Sequence, residues 1–166
     1  PGAGARLGAS LAAAGDVNGD GFGDVIVGAN ELSNGQAMEG AAYVYFGGAT
    51  LSTTANGIIE ENSVSSGLGA SVAGVGDVNG DGYADVMVGA NLRDDNLADV
   101  GAVYLYLGGP SVFNTGSDQF FGGSQLNGQF GGALAGGDID GDGNSDLIIG
   151  EPLRDDDFVD EGGVSV

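Results

Sequence analysis

The sequence predicts an all-β fold built from one repeated antiparallel unit, and three observations predict it. An acidic string occurs three times: Asp16-Val-Asn-Gly-Asp-Gly-Phe-Gly-Asp24, Asp77-Val-Asn-Gly-Asp-Gly-Tyr-Ala-Asp85 and Asp138-Ile-Asp-Gly-Asp-Gly-Asn-Ser-Asp146. The step from Asp16 to Asp77 is 61 residues and that from Asp77 to Asp138 is again 61, which is the signature of a structural repeat. Finally, 36 Gly among 166 residues, with 42% hydrophobic residues and no Cys, Trp or His, describes short strands joined by tight turns around a core.

Each element follows from its residues. The first strand is rich in small residues: Leu7-Gly-Ala-Ser-Leu-Ala-Ala-Ala14, Leu68-Gly-Ala-Ser-Val-Ala-Gly-Val75 and Phe130-Gly-Gly-Ala-Leu-Ala-Gly136, the third shorter by one residue before its loop. Gly, Ala and Ser there let neighbouring backbones approach closely. The acidic string is the connection to an aliphatic second strand, Asp24-Val-Ile-Val-Gly-Ala-Asn30, Asp85-Val-Met-Val-Gly-Ala-Asn91 or Asp146-Leu-Ile-Ile-Gly-Glu-Pro152. A variable polar loop leads to a third strand in Gly40-Ala-Ala-Tyr-Val-Tyr-Phe-Gly-Gly48, Gly101-Ala-Val-Tyr-Leu-Tyr-Leu-Gly-Gly109 and Gly162-Gly-Val-Ser-Val166. A weaker fourth strand is expected at Gly57-Ile-Ile-Glu60 and Asp118-Gln-Phe-Phe121. Short antiparallel strands need short connections, and four of them per repeating unit is the plan of a β-propeller blade. The expected division is one repeat domain over 1–166, with blades at about 6–61, 67–122 and 129–166, the last truncated.

The acidic strings place oxygen ligands at alternate positions and then a glycine where the chain must turn, which is how a loop wraps a hard cation such as Ca²⁺. EF-hand and dockerin loops share this pattern but need an acidic ligand at loop position twelve, where this chain has Val27, Val88 and Ile149. The residues that follow are β-branched rather than helix-forming. Asp-Gly and Asn-Gly also make turns without metal, but four oxygen ligands at alternate positions in three copies exceed what a turn requires.

With 3 Lys+Arg against 24 Asp+Glu, the formal charge of −21 argues against nucleic acid and anionic membrane surfaces as partners. Three divalent ions, six positive charges, would bring −21 to −15, so metal-free chain should repel itself. Without cysteine, metal takes the stapling role that disulfides have in secreted repeat proteins. Modules of this kind fill where Ca²⁺ is plentiful, at about 10⁻⁴ to 10⁻³ M, which points to an extracellular or cell-surface location. No apolar run is long enough for membrane insertion, and Pro1-Gly-Ala-Gly-Ala5 does not resemble a signal peptide. A secreted chain would have lost its signal or carried it further upstream.

Leu7-Gly8 or Phe130-Gly131, the Asp-rich loop, and Val27-Gly28-Ala29-Asn30 or Ile149-Gly150-Glu151-Pro152 together resemble the FG-GAP repeat of integrin α-subunit β-propellers and their bacterial relatives. The resemblance covers about two and three-quarter repeats. Phe-Gly is Leu-Gly in two copies, and Gly-Ala-Pro becomes Gly-Ala-Asn twice and Gly-Glu-Pro once. The resemblance implies three Ca²⁺ sites, each held between first and second strands. Its ligands would be Asp16, Asn18, Asp20 and Asp24 with the carbonyl of Phe22, then Asp77, Asn79, Asp81 and Asp85 with that of Tyr83. The third set would be Asp138, Asp140, Asp142 and Asp146 with the carbonyl of Asn144. Its extra carboxylate predicts tighter binding.

Propellers close with about four to eight blades, and fewer than three are encoded here. Either the sequence is an excerpt of a longer propeller, which we favour, or several chains complete a ring or filament by self-association through open blade edges. The expected function is a non-catalytic Ca²⁺-binding module for adhesion, presenting a protein or glycan ligand with the loops that vary between repeats: 31–39, 92–100, 153–161, 49–56 and 110–117. An enzyme reading, such as a polysaccharide hydrolase or lyase, is disfavoured because the regularly placed Asp residues belong to the loops and Ser10 and Ser71 have no visible base. Arg93 and Arg154, each followed by two Asp, are expected to brace their loops by ion pairs. Tyr43, Tyr45, Tyr104 and Tyr106 are expected to be cross-strand packing rather than a sugar-stacking platform.

Overall fold

The computed structural model describes residues 2–50, 53–110, 113–156, 159 and 161–166. Several positions in the variable loops, Leu51, Ser52, Ser111, Val112, Asp157, Phe158 and Asp160, lie outside the described residues. Eleven strands follow in chain order: β1 (Leu11–Gly15), β2 (Asp24–Gly28), β3 (Ala42–Tyr45), β4 (Gly57–Ile59), β5 (Ser71–Gly76), β6 (Asp85–Ala90), β7 (Ala102–Tyr106), β8 (Gln119–Gly122), β9 (Ala133–Gly137), β10 (Asp146–Glu151) and β11 (Gly163–Ser165). They form three antiparallel sheets, ordered β1-β2-β3-β4, β5-β6-β7-β8 and β9-β10-β11, with no closed ring among the described residues. No helix among these residues is long and apolar enough to cross a membrane.

The middle sheet shows why the aliphatic strands carry so little polar alternation. Every residue of β6 and β7 is buried. Side chains alternate across a strand, so Val86, Val88, Tyr104 and Tyr106 enter the cluster shared with Ile26, Val44 and Ile59 of the first sheet. Met87, Val103 and Leu105 face the other way, into the cluster with Phe130, Ile149 and Leu147 at the third sheet. Tyr43, Tyr104 and Tyr106 are buried, which favours packing over a sugar platform.

The innermost strands set the spacing between sheets. Pairing of β1 with β2 skips Ala14, passing from Ala13–Val25 to Gly15–Asp24. β5 likewise skips Val75 between Gly74–Val86 and Gly76–Asp85. These are β-bulges, and both bulged side chains are 1% exposed, turned into the two inter-sheet clusters. β9 pairs with β10 without a break. The residue by which the third first-strand segment is shorter is therefore the bulge itself.

Each bulge meets a glycine of the next strand. A Cβ on Gly74 would lie 2.2 Å from the Ala13 carbonyl oxygen, and one on Gly136 would lie 2.6 Å from Val75 Cα. Hydroxyls fasten the same seam: Ser10 Oγ donates to the Gly69 carbonyl at 2.7 Å and Ser71 Oγ to that of Gly131 at 2.5 Å. These bonds give Ser10 and Ser71 a structural role. Farther out, parallel bridges join Gly40 to Leu68 and Gly101 to Phe130, tying each β2–β3-type loop to the segment that enters the following sheet.

Candidate metal centre

The three acidic strings occupy the turns β1–β2, β5–β6 and β9–β10, on the same end of their sheets. In the first, the Asp16 carboxylate accepts the N–H groups of Gly19, Asp20 and Gly21 at 2.7, 3.0 and 2.8 Å, so the chain wraps around this side chain. Asn18 Oδ1 accepts from Asp20 N–H and Asp20 Oδ1 from Phe22 N–H. Asp77, Asn79 and Asp81 repeat these contacts at 2.7 to 3.1 Å. In the third loop Asp138 accepts from Gly141 and Gly143, Asp140 from Asp142, and Asp142 from Asn144.

The last Asp of each string faces inward and anchors the loop. Asp24, 2% exposed, accepts Val17 N–H at 2.8 Å and Gly47 N–H at 2.7 Å. Asp85, 0% exposed, accepts Val78 and Gly108 N–H, both at 2.8 Å. Asp146 accepts Ile139 N–H. Burial pushes the Asp24 and Asp85 carboxyls up from their ordinary range, against the pull of those N–H groups. Asp77 shows the reverse: the backbone N–H of Gly82, with Gly80 and Asp81, holds it down.

Carboxylate oxygens of Asp138, Asp140 and Asp146 lie within 4.8 Å of one another, and this is the carboxylate triplet of that kind among the described residues. The first two loops have Asn18 and Asn79 where the third has Asp140, so no such triplet forms there. Asn18 and Asn79 instead donate through Nδ2 to Asp20 and Asp81. Asp142 stands outside the triplet. Every side chain offered by the three loops is a hard oxygen donor, the chemistry that suits Ca²⁺ or Mg²⁺ rather than a soft metal.

Contacts invisible in the strings themselves complete the loops. Gly47 and Gly108, each 23 residues after the anchoring Asp, tie the turn to the end of the third strand. The recurring Gly-Gly after the Tyr-rich strand was their only sequence signal. Successive loops also touch, since Ala84 N–H donates to the Asp16 carbonyl at 3.0 Å and Ser145 N–H to that of Asp77 at 2.9 Å.

The variable loops hold different chemistry. Arg154 pairs with Asp156 at 3.0 Å, as expected. Arg93 does not brace its own loop through Asp94 or Asp95; its guanidinium lies over the rings of Tyr104 and Phe120, 5.8 and 5.2 Å from their centroids, and donates to the Tyr104 hydroxyl. Desolvation of this corner pushes the Tyr104 phenol up to about 12. Glu39 is wholly buried, accepting Asn34 and Gln36 N–H, and Glu161 serves Asp156 N–H in the same way. Glu151 and Glu161 line one open cleft of about 580 Å³ with Pro152 and Val164. Burial raises the Glu151 carboxyl.

Known proteins are similar to this chain in sequence. The chain is 34% identical over 166 residues to phosphatidylinositol-glycan-specific phospholipase D of Bos taurus, covering 89% of this chain and 19% of that protein. It is 35% identical over 145 residues to integrin alpha-PS5 of Drosophila melanogaster, covering 82% and 14%, and 33% identical over 164 residues to integrin alpha-4 of Xenopus laevis, covering 92% and 15%. The chain thus spans less than a fifth of the length of these relatives.

The phospholipase D match corrects the expectation of a non-enzyme, because that relative is named for a catalytic activity. That expectation rested on the lack of His and Cys and on Asp residues claimed by loops. The FG-GAP repeat model matches residues 7–45, 68–106 and 130–166, the segments that carry the small-residue strand, the acidic turn and the aliphatic strand in each sheet. The chain belongs to the FG-GAP repeat family.

Proposed function

We propose that the chain is a set of Ca²⁺-stabilised propeller blades from an extracellular or cell-surface protein, used for adhesion or another protein or glycan interaction. The observation that carries this reading is the repeated oxygen-lined turn, found in all three units with one anchoring Asp and one wrapped Asp. The ligands would be Asp16, Asn18, Asp20, Asp24 and the Phe22 carbonyl; Asp77, Asn79, Asp81, Asp85 and the Tyr83 carbonyl; and Asp138, Asp140, Asp142, Asp146 and the Asn144 carbonyl. The integrin relatives support an interaction role, and the variable loops are the surface that would meet a partner. Filling the sites neutralises carboxylates clustered at one end of each sheet and fixes the turns that join the innermost strands, stiffening the scaffold beneath those loops. Ca²⁺ titration with thermal unfolding in parallel tests the reading: bound ions should raise the midpoint, and chelation should lower it.

The phospholipase D relatives favour a second reading, in which these blades are part of an enzyme acting on phosphatidylinositol-glycan. The cleft lined by Glu151 and Glu161 holds two carboxyl groups outside the acidic turns. Hydrolysis of such a substrate, lost in Glu151→Gln, would support this reading. Turnover that is absent or unaffected by the substitution would remove the cleft from it.

A further inference from the structure

The acidic turns form a row in which each is fastened to the next. Ala84 N–H donates to the Asp16 carbonyl at 3.0 Å, and Ser145 N–H makes the same bond to Asp77 at 2.9 Å. Each donor sits between two ligand positions of its own turn: Ala84 between Tyr83 and Asp85, Ser145 between Asn144 and Asp146. Each acceptor belongs to the wrapped Asp of the preceding turn. Neighbouring turns also approach closely at two glycines. A Cβ on Gly19 would come within 2.5 Å of the Tyr83 ring, and one on Gly80 within 3.0 Å of Asn144 Oδ1.

We infer that cation binding is positively cooperative along this row, with Ala84 and Ser145 as positioning residues whose backbone N–H groups hold the first ligand of the preceding site. The inference rests on the Ca²⁺ reading above. Exposed turns lose conformational freedom when an ion gathers their oxygens. An ion at the second turn fixes the Tyr83 carbonyl and Asp85 carboxylate, and with them the N–H of Ala84 between them. Asp16 is then already held when the first turn takes its ion, so that step costs less, and linkage makes the effect mutual. Charge opposes this, because each ion weakens the attraction for the next. That opposition is limited: the chain carries −21 and keeps −15 after three divalent ions, and about 0.15 M salt screens charges beyond about 8 Å. Hydrogen bonds of 2.9 and 3.0 Å are not screened in this way. The middle turn joins both links, so it is the hub of the row.

The amides of Gly21, Gly82 and Gly143 donate to the wrapped Asp of their own turns at 2.8, 2.7 and 3.1 Å, and so report each turn separately by NMR. The experiment follows them through a Ca²⁺ titration in about 0.15 M salt, in the wild type and in Asp81→Ala, which weakens the middle site. Wild-type curves should be steeper than single-site binding, and in Asp81→Ala the Gly21 and Gly143 midpoints should move to at least about fivefold higher Ca²⁺. Unchanged midpoints in a folded Asp81→Ala protein would overturn the coupling. Should that variant lose its dispersed spectrum, the wild-type curves decide, and three independent single-site curves overturn the coupling while leaving the sites intact. If no wild-type amide moves at Ca²⁺ well above about 10⁻³ M, the cation reading fails and the coupling falls with it.

Discussion

Gly74→Ala isolates the packing of one innermost strand against the bulge of another. The backbone of Gly74 is not among the positive-φ positions, so alanine brings no backbone strain. What it brings is a methyl 2.2 Å from the Ala13 carbonyl oxygen and 2.8 Å from Ala14 Cα, both backbone atoms that cannot swing aside. Ordinary contact begins at 3.4 Å, so β1 and β5 must part locally by about an ångström, and overpacking of this kind costs about 1–3 kcal/mol. An unstrained Gly→Ala change would act oppositely, stabilising by about 0.4–1 kcal/mol through the unfolded chain. The sign of the effect is therefore diagnostic. Gly137→Ala, at an inner-strand position with nothing within 4 Å, is the control and should be neutral or stabilising. Urea unfolding in saturating Ca²⁺, followed by circular dichroism, reads both. A Gly74→Ala protein at least as stable as the wild type would refute the claim that bulge-to-glycine contact sets the spacing between sheets.

Ser71→Ala removes the hydroxyl that caps the Gly131 carbonyl and should cost about 1 kcal/mol of unfolding free energy in the same assay. Asp85→Asn leaves Val78 or Gly108 N–H facing an amide NH₂, and should destabilise at neutral pH by about 1–3 kcal/mol, read as a lower melting midpoint. In Ca²⁺-free protein the pH dependence of Asp85 has a definite sign. Its folded pKa is raised above 3.8, so folding takes up a proton, and its contribution is fully present below 3.8 and lost as pH rises through the raised value. The stability gap between wild type and Asp85→Asn should therefore widen on acidification across that window, as measured by melting midpoints.

The repeat made most of the architecture legible. Strand order, hairpin turns and the packing of Tyr104 and Tyr106 follow from residues recurring every 61 positions and from the alternation of Tyr with aliphatic residues in the third strand. The bulges were not legible. Ala14 and Val75 look like ordinary members of a small-residue strand, and only their pairing shows that they stand outside the ladder. Arg93 misled for a related reason: Asp94 and Asp95 are its neighbours in sequence, but β7 and β8 bring two aromatic rings closer in space. The wrapped and anchoring roles of the loop Asp residues divide along a line that spacing alone could not draw, since Gly47 and Gly108 reach them from another strand. Buried Glu39 gave no signal either, because its partners are backbone N–H groups of its own loop.

The most direct test of the account is calorimetric titration of the chain with Ca²⁺, starting from metal-free protein. Three ions should bind per chain with dissociation constants of about 10⁻⁴ to 10⁻³ M. At a hundredfold excess over that constant, each filled site should add about 2.7 kcal/mol to the unfolding free energy. A chain that binds no Ca²⁺ at millimolar concentrations and melts at the same temperature with and without it would contradict the claim that these turns are cation sites.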